Sequence, residues 1–495
     1  MSFKIAFIGA GSIGFTRRLV KDILSVDEFR DLEISFTDIN TQNLEMVTEL
    51  VQRDIDENGL DIKIQATTDR REALKDAKYI MNVVRIGGLD AFKLDVEIPL
   101  KYGVDQCVGD TLCAGGIMYG QRGIPVILDF CKDIREVSHP DALLLNYANP
   151  NAMITWAANK YGKVNTIGLC HGVQHGHQMI AEAFGLKQEE VDIICAGINH
   201  QTWYIQINHN GKDLTGDLLE VMEKHPEYSK TEKVRIDMLK RFGYFSTESN
   251  GHLSEYLPWY RKRPEEINKW IHVGESWING ETGGYLRVCT ESRNWFETDF
   301  PNWLKDPAKK YDPSDRSQEH GSYIIEGLET GRVYRGHFNV INNGVISNLP
   351  DDAVVEVPGY IDANGVNIPM VGDLPYGCAA VCNASISVQR LAVEAAVKGE
   401  DQLLRQAMML DPLVGAVCNP PEIWQMTDEM LVAQAEWLPQ YKKAIEEAEK
   451  RLDNDDLIPT KDGYQGAARL KVKSVEEMAE DREEASRLAD AADKS

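Results

Sequence analysis

Two residues suited to metal chemistry stand at the ends of separate apolar runs. They are Cys170, in Leu169-Cys170-His171-Gly172-Val173, and His200, in Gly197-Ile198-Asn199-His200. A thiolate and an imidazole supplied by two elements can hold a divalent ion and leave coordination positions open to substrate oxygens. The same residue types also occur as a buried, inert thiol and a hydrogen-bonded structural imidazole, and spacing alone leaves both readings open. His171, His175 and His177 raise the local imidazole density, although His175 and His177 would also suit an exposed helix start. Three more polar groups follow apolar runs: Arg85-Ile86-Gly87-Gly88, Gly109-Asp110-Thr111-Leu112-Cys113, and Asn146-Tyr147-Ala148-Asn149-Pro150.

A second kind of chemistry is readable at the start of the chain. Gly9-Ala10-Gly11-Ser12-Ile13-Gly14 follows an apolar run and opens a helical pattern, so its backbone N–H groups can hold a pyrophosphate at a helix N-terminus. Asp38, at the end of the next apolar run, stands where a carboxylate accepts from the adenosine ribose and repels a 2′-phosphate. This selects NAD over NADP. A Ser after the second glycine departs from the usual fingerprint, and a glycine turn also serves tight strand–helix packing.

The elements that must position these residues alternate. Strands are predicted over 3–8, 32–37, 62–67, 79–84, 142–146 and 166–169, with helices over 16–24, from Asp38 to about Asn58, and over 70–75. Such alternation predicts a Rossmann-like doubly wound parallel sheet, with ligands beyond the carboxyl ends of its strands. From about Asp192, alternating segments such as Trp203–Ile207 and Asp352–Val357 mix with helices. The expected organisation is an NAD-binding domain over 1–191, an α+β substrate domain over 192–440 and a charged helical extension over 441–495. The stretch from Glu476 to Ser495 is expected to fray. The whole reads as a lactate/malate dehydrogenase-like architecture.

Composition narrows the function classes. A chain of 495 residues with 43% hydrophobic content can bury a large core and divide into domains. A net charge of −25, without a Lys/Arg block, argues against nucleic acid and anionic membranes as partners. No secretory signal and no run of about 18 apolar residues is present, so a cytoplasmic protein is expected. Nine scattered cysteines fit reduced thiols.

The motifs GAGS, TDIN, RIGG, GDTLCAGGIM, NYANPNAM, GLCHGV and AGINH, in this order, resemble glycoside hydrolase family 4, the NAD- and Mn²⁺-dependent glycosidases. GYFSTESNGHLSEYLPW, NLP and DANG extend the likeness through the second domain, and the whole resembles the α-galactosidase branch most. The resemblance implies oxidation of the sugar at C3, removal of the C2 proton, expulsion of the C1 substituent, water addition and return of the hydride, an exception to two-carboxylate glycosidases. It makes Cys170 and His200 the metal ligands, Asn149 a sugar contact with Asp110 nearby, and His171 the candidate general acid. His252 stands where relatives carry a Tyr base, with Tyr256 and Glu248 as the next candidates. The triplet Cys170-His171-Gly172 resembles the pattern of α-glucuronidases and places a glucuronide ahead of an α-galactoside or α-galacturonide, with Arg85 available for the carboxylate. A homodimer or homotetramer acting on a small glycoside or oligosaccharide is expected. The competing class is an NAD-dependent hydroxyl dehydrogenase, which would rely on an Arg and a His-Asp pair and survive a chelator.

Overall fold

A computed structural model describes residues 2–274, 276–454 and 456–492. Its first six strands are β1 (Lys4–Ile8), β2 (Glu33–Thr37), β3 (Ile64–Thr67), β4 (Tyr79–Asn82), β5 (Leu143–Asn146) and β6 (Thr166–Gly168). They pair in parallel in the order β3-β2-β1-β4-β5-β6. β1, β4 and β5 are buried throughout, as strands covered on both faces by helices must be, which is why they read as unbroken apolar runs. The order reverses between β1 and β4, and the chain therefore leaves these two strands in opposite directions and opens a crevice at their carboxyl ends.

The later strands are β7 (Asp192–Ile198), β8 (Gln201–His209), β9 (Lys212–Asp213), β10 (Phe245–Ser246), β11 (Tyr334–Ile341), β12 (Val354–Asp362) and β13 (Gly365–Asn367). They extend the parallel half as one continuous sheet of 13 strands rather than forming a separate one. β11 lies antiparallel to β6 through Asn339 and Gly168, and β12, β7, β8 and β10 follow outward. This continuity carries the β7–β8 turn and the end of β10 to the same region as the end of β6.

The region after 440 holds a helix, Lys442–Leu452, and a segment tied down by backbone bonds. The N–H of Lys461 donates to Lys101 O at 2.7 Å, that of Ala467 to Asp105 Oδ2 at 2.9 Å, and Thr282 N–H to Ala468 O at 2.9 Å. The expected frayed tail is instead helical over Val475–Ala492, with Lys473 paired to Asp481 at 2.6 Å; the last three residues lie outside those described. Among the described residues no helix is long and apolar enough to cross a membrane. All nine cysteines are free thiols.

Candidate metal and catalytic site

Three donors from three elements converge. Cys170 follows β6, His200 sits in the turn joining β7 to β8, and Glu248 follows β10. Glu248 Oε2 lies 3.2 Å from Cys170 Sγ and 3.5 Å from His200 Nε2, and the three donor atoms all lie within 4.8 Å of one another. All three residues are buried. His200 has φ +62°, a left-handed conformation uncommon outside glycine, and it is the tightness of the β7–β8 turn that holds the ring in place. Glu248, which the sequence offered as a candidate base, thus lies beside Cys170 and His200 in a group that could hold a metal ion.

A network behind His200 decides which ring nitrogen faces those donors. The Thr111 hydroxyl donates to Asp110 Oδ1 at 3.0 Å, so its oxygen accepts from His200 Nδ1–H at 3.1 Å. Nε2 is then left as a free lone pair directed at Cys170 and Glu248, the arrangement a metal-binding imidazole needs. Tyr256 Oη is 3.3 Å from the same Nδ1, placing Tyr256 behind the ligand rather than beside a sugar. Burial and the charges of Glu255 and Asp110 push its phenol well above the ordinary range, so it is a poor base. Asp110 Oδ2 accepts from Asn149 Nδ2 at 3.1 Å, with Arg85 Nη2 at 3.7 Å. Arg85 is boxed by aromatic rings, its guanidinium carbon 4.5 Å from the Phe92 ring centre and 5.2 Å from that of Tyr285.

The loop carrying Asp110 and Thr111 is held from two sides. Glu255 accepts the N–H groups of Cys107 at 2.7 Å, Val108 at 3.0 Å and Gly109 at 3.2 Å. From the other side the helix Cys113–Val137 presents Gly115 and Gly116, where a Cβ would stand 2.4 Å from Gly109 O and 2.3 Å from the Thr111 carbonyl carbon. The run of small residues in that motif is a packing requirement.

Two more histidines border the donors. His171 Nδ1 lies 3.4 Å from Glu319 Oε1. Burial pulls its pKa down, but the Glu319 bond and the charges of Glu248 and Glu319 outweigh this and raise it to about 9. The next residue, His320, places Nε2 3.0 Å from the Cys170 carbonyl oxygen, so Glu319-His320 braces Cys170-His171. His252 is buried with its ring centre 4.6 Å from that of His200 and Nδ1 2.8 Å from Ser249 Oγ. Burial, then His200, lower its pKa to about 4. Cys170 is pushed well up by burial and by Glu248, whereas Glu248, despite burial, is pulled down to about 2 by the surrounding histidines. A carboxylate beside the Cys170 thiol and the His200 imidazole is a donor set that suits a divalent cation once the thiol gives up its proton.

The glycine turn lies at the carboxyl end of β1. Gly9 has φ +85°, and a Cβ there would stand 2.9 Å from the Val84 backbone. Its N–H and that of Ala10 donate to Thr37 O, and Ser12 N–H closes the turn on Gly9 O at 3.1 Å. Gly11 N–H donates to Asp38 Oδ2 at 2.8 Å, and Asp38 Oδ1 accepts from Asn40 N at 2.8 Å. Asp38 therefore ties the turn to β2. Ser12 and Ile13 are half-buried ahead of the helix Phe15–Leu24, and Gly14, with nothing near a built Cβ, serves no packing contact.

Glu255, Glu319, His320 and Thr111 were not singled out by sequence. Glu319-His320 opens the helix His320–Thr330 within an ordinary polar stretch, and only the folded contact with Cys170-His171 distinguishes it.

Comparison with known proteins identifies the family. Sequence profiles of the family 4 glycosyl hydrolases match residues 4–186, and of their C-terminal domain residues 195–414. An alpha-galactosidase of Rhizobium meliloti is 59% identical over 485 residues, spanning 98% of either chain. An alpha-galactosidase of Bacillus subtilis is 34% identical over 445 residues, 89% of this chain and 100% of that one. Among solved structures, a 6-phospho-alpha-glucosidase from gut microorganisms, in complex with NAD and glucose-6-phosphate, superposes with a TM-score of 0.74 at 25% identity, covering 89% of this chain and 99% of that one. With both halves of the chain matched, including the segments that bring Cys170, His200 and Glu248 together, this protein belongs to the family 4 glycosyl hydrolases.

Proposed function

We propose that the chain is an NAD- and Mn²⁺-dependent α-galactosidase that cleaves its substrate by elimination across C1–C2. The observation that carries this reading is the packing of His171 and His252 around the Cys170–His200–Glu248 donors. When bound, the two cofactors supply reversible oxidation at C3 and Lewis-acid polarisation of the sugar oxygens. The relative solved with NAD and the Gly9–Asp38 turn support the dinucleotide.

Each residue's role follows from its surroundings. His252, neutral because burial and His200 disfavour its cation, takes the C2 proton. His171, kept cationic by Glu319 and Glu248, protonates the leaving glycosidic oxygen. Asn149, oriented by Asp110, donates to a sugar hydroxyl. Thr111 and Tyr256 hold His200 in its ligand tautomer.

The sequence triplet placed a glucuronide first, and two observations move a galactoside ahead of it. Relatives at 59% and 34% identity are alpha-galactosidases, and Gly172, the residue that marked the triplet, has a steric reason unconnected with the sugar, since a Cβ there would meet the Glu248 carboxylate. Arg85, with Asp110 and three aromatic rings around it, has less reach toward a uronate than its sequence position suggested. The test is hydrolysis of aryl α-galactoside, α-glucuronide and α-galacturonide side by side, with NAD⁺, Mn²⁺ and a reductant. Preference for either uronide would overturn the galactoside assignment.

A further inference from the structure

We propose that Glu248 is a third protein ligand of the divalent ion and that Gly172 is the residue that admits it; this rests on the metal-dependent reading above. The donor separations of 3.2 Å from Cys170 Sγ and 3.5 Å from His200 Nε2 suit atoms sharing one ion at bond lengths of about 2.0–2.3 Å. A thiolate, a carboxylate and a neutral imidazole balance the charge of a dication in a buried site, whereas Cys170 and His200 alone leave one positive charge uncompensated. The carboxylate also adds a hard oxygen to two softer donors, which favours Mn²⁺ over metals that prefer thiolate and imidazole alone.

Gly172 supplies the independent observation. It opens the helix Gly172–Ala183 and is not among the positive-φ glycines, so the backbone does not demand it. A Cβ built there would stand 2.0 Å from Glu248 Oε2 and 2.7 Å from its Cδ. Even alanine would expel the carboxylate from its place beside Cys170. The residue after His171 is therefore fixed by the acid behind it, and the two positions form one unit of metal recognition.

The test is Mn²⁺ binding to the full chain, followed by the electron paramagnetic resonance signal of free Mn²⁺, with NAD affinity measured in parallel to show that each variant is folded. Glu248→Gln and Gly172→Ala should each weaken Mn²⁺ binding at least about tenfold with NAD affinity unchanged. In a Glu248→Ala background, which vacates the space, adding Gly172→Ala should cost nothing further. In the Co²⁺-loaded protein, Glu248→Gln should shift the visible ligand-field bands. Wild-type Mn²⁺ affinity in Glu248→Gln, with or without loss of activity, would overturn the proposal, as would an equal loss from Gly172→Ala in both backgrounds. Cys170→Ser and His200→Ala separate the two readings: if they lose Mn²⁺ and Glu248→Gln does not, only the third ligand is wrong. If they too retain full affinity, the metal site itself lies elsewhere.

Discussion

His171 Nδ1 lies 3.4 Å from the carboxylate of Glu319, a buried acid that enters from the loop before the helix His320–Thr330. That contact fixes the ring and keeps it cationic, as a proton donor to a leaving alcohol must be. Glu319→Gln should lower turnover of alkyl galactosides roughly several-fold near pH 7, and more as the pH rises, while sparing nitrophenyl galactosides, whose leaving groups need little protonation. His171→Ala should show the same selectivity. Rates measured across a series of leaving groups check it, and equal losses on all substrates would remove His171 from the acid role.

The two histidines also define a pH profile. A base is lost when it gains a proton, and His252 does so only near 4; an acid is lost when it gives one up, and His171 does so near 9. With NAD⁺ and Mn²⁺ saturating, the acid limb of kcat/KM should therefore lie below, and the alkaline limb above, the ordinary histidine range of about 6.5. In Glu319→Gln the alkaline limb should move down toward the ordinary histidine range of about 6.5. An acid limb near 6.5 in the wild type would contradict the assignment of His252.

Thr111→Val removes the hydroxyl that holds His200 Nδ1–H and keeps the side-chain volume. Mn²⁺ affinity should fall by about 10- to 100-fold, as it does when an outer partner of a metal-binding imidazole is lost. Metal titration of the two proteins decides, and unchanged affinity would show that Tyr256 suffices to orient the ring.

Asp38→Ala removes the proposed ribose acceptor together with the tie to Gly11 N–H. NAD binding should be lost, with a stability cost of only about 1 kcal/mol for one hydrogen-bonded contact. Calorimetric titration with NAD, paired with thermal unfolding, checks both. Retained affinity would place the adenosine elsewhere.

The parallel half of the fold was legible because its buried strands are short apolar runs closed by Gly9, Asp38, Asn146 and Cys170, each at a carboxyl end. The antiparallel extension was not, since nothing local signals that Asn339 will pair with Gly168 and carry the sheet through. Cys170 and His200 were readable for the same reason as the strands they follow. Glu248 was readable as a candidate base in a polar loop but not as a neighbour of Cys170 and His200, because that placement depends on the space left at Gly172, a relationship between distant segments. Thr111 and Glu319 share that character: each acts by orienting a histidine supplied by another element.

The central claim is that the C2–H bond breaks during glycoside cleavage. It is tested most directly by running the reaction in D₂O with NAD⁺ and Mn²⁺ and examining the released sugar by proton magnetic resonance. Elimination with His252 as the base delivers solvent deuterium to C2, so the product should carry deuterium there, and substrate deuterated at C2 should turn over more slowly if that step limits the rate. Product bearing only protium at C2, formed at the same rate from either substrate and without NAD⁺, would contradict the account.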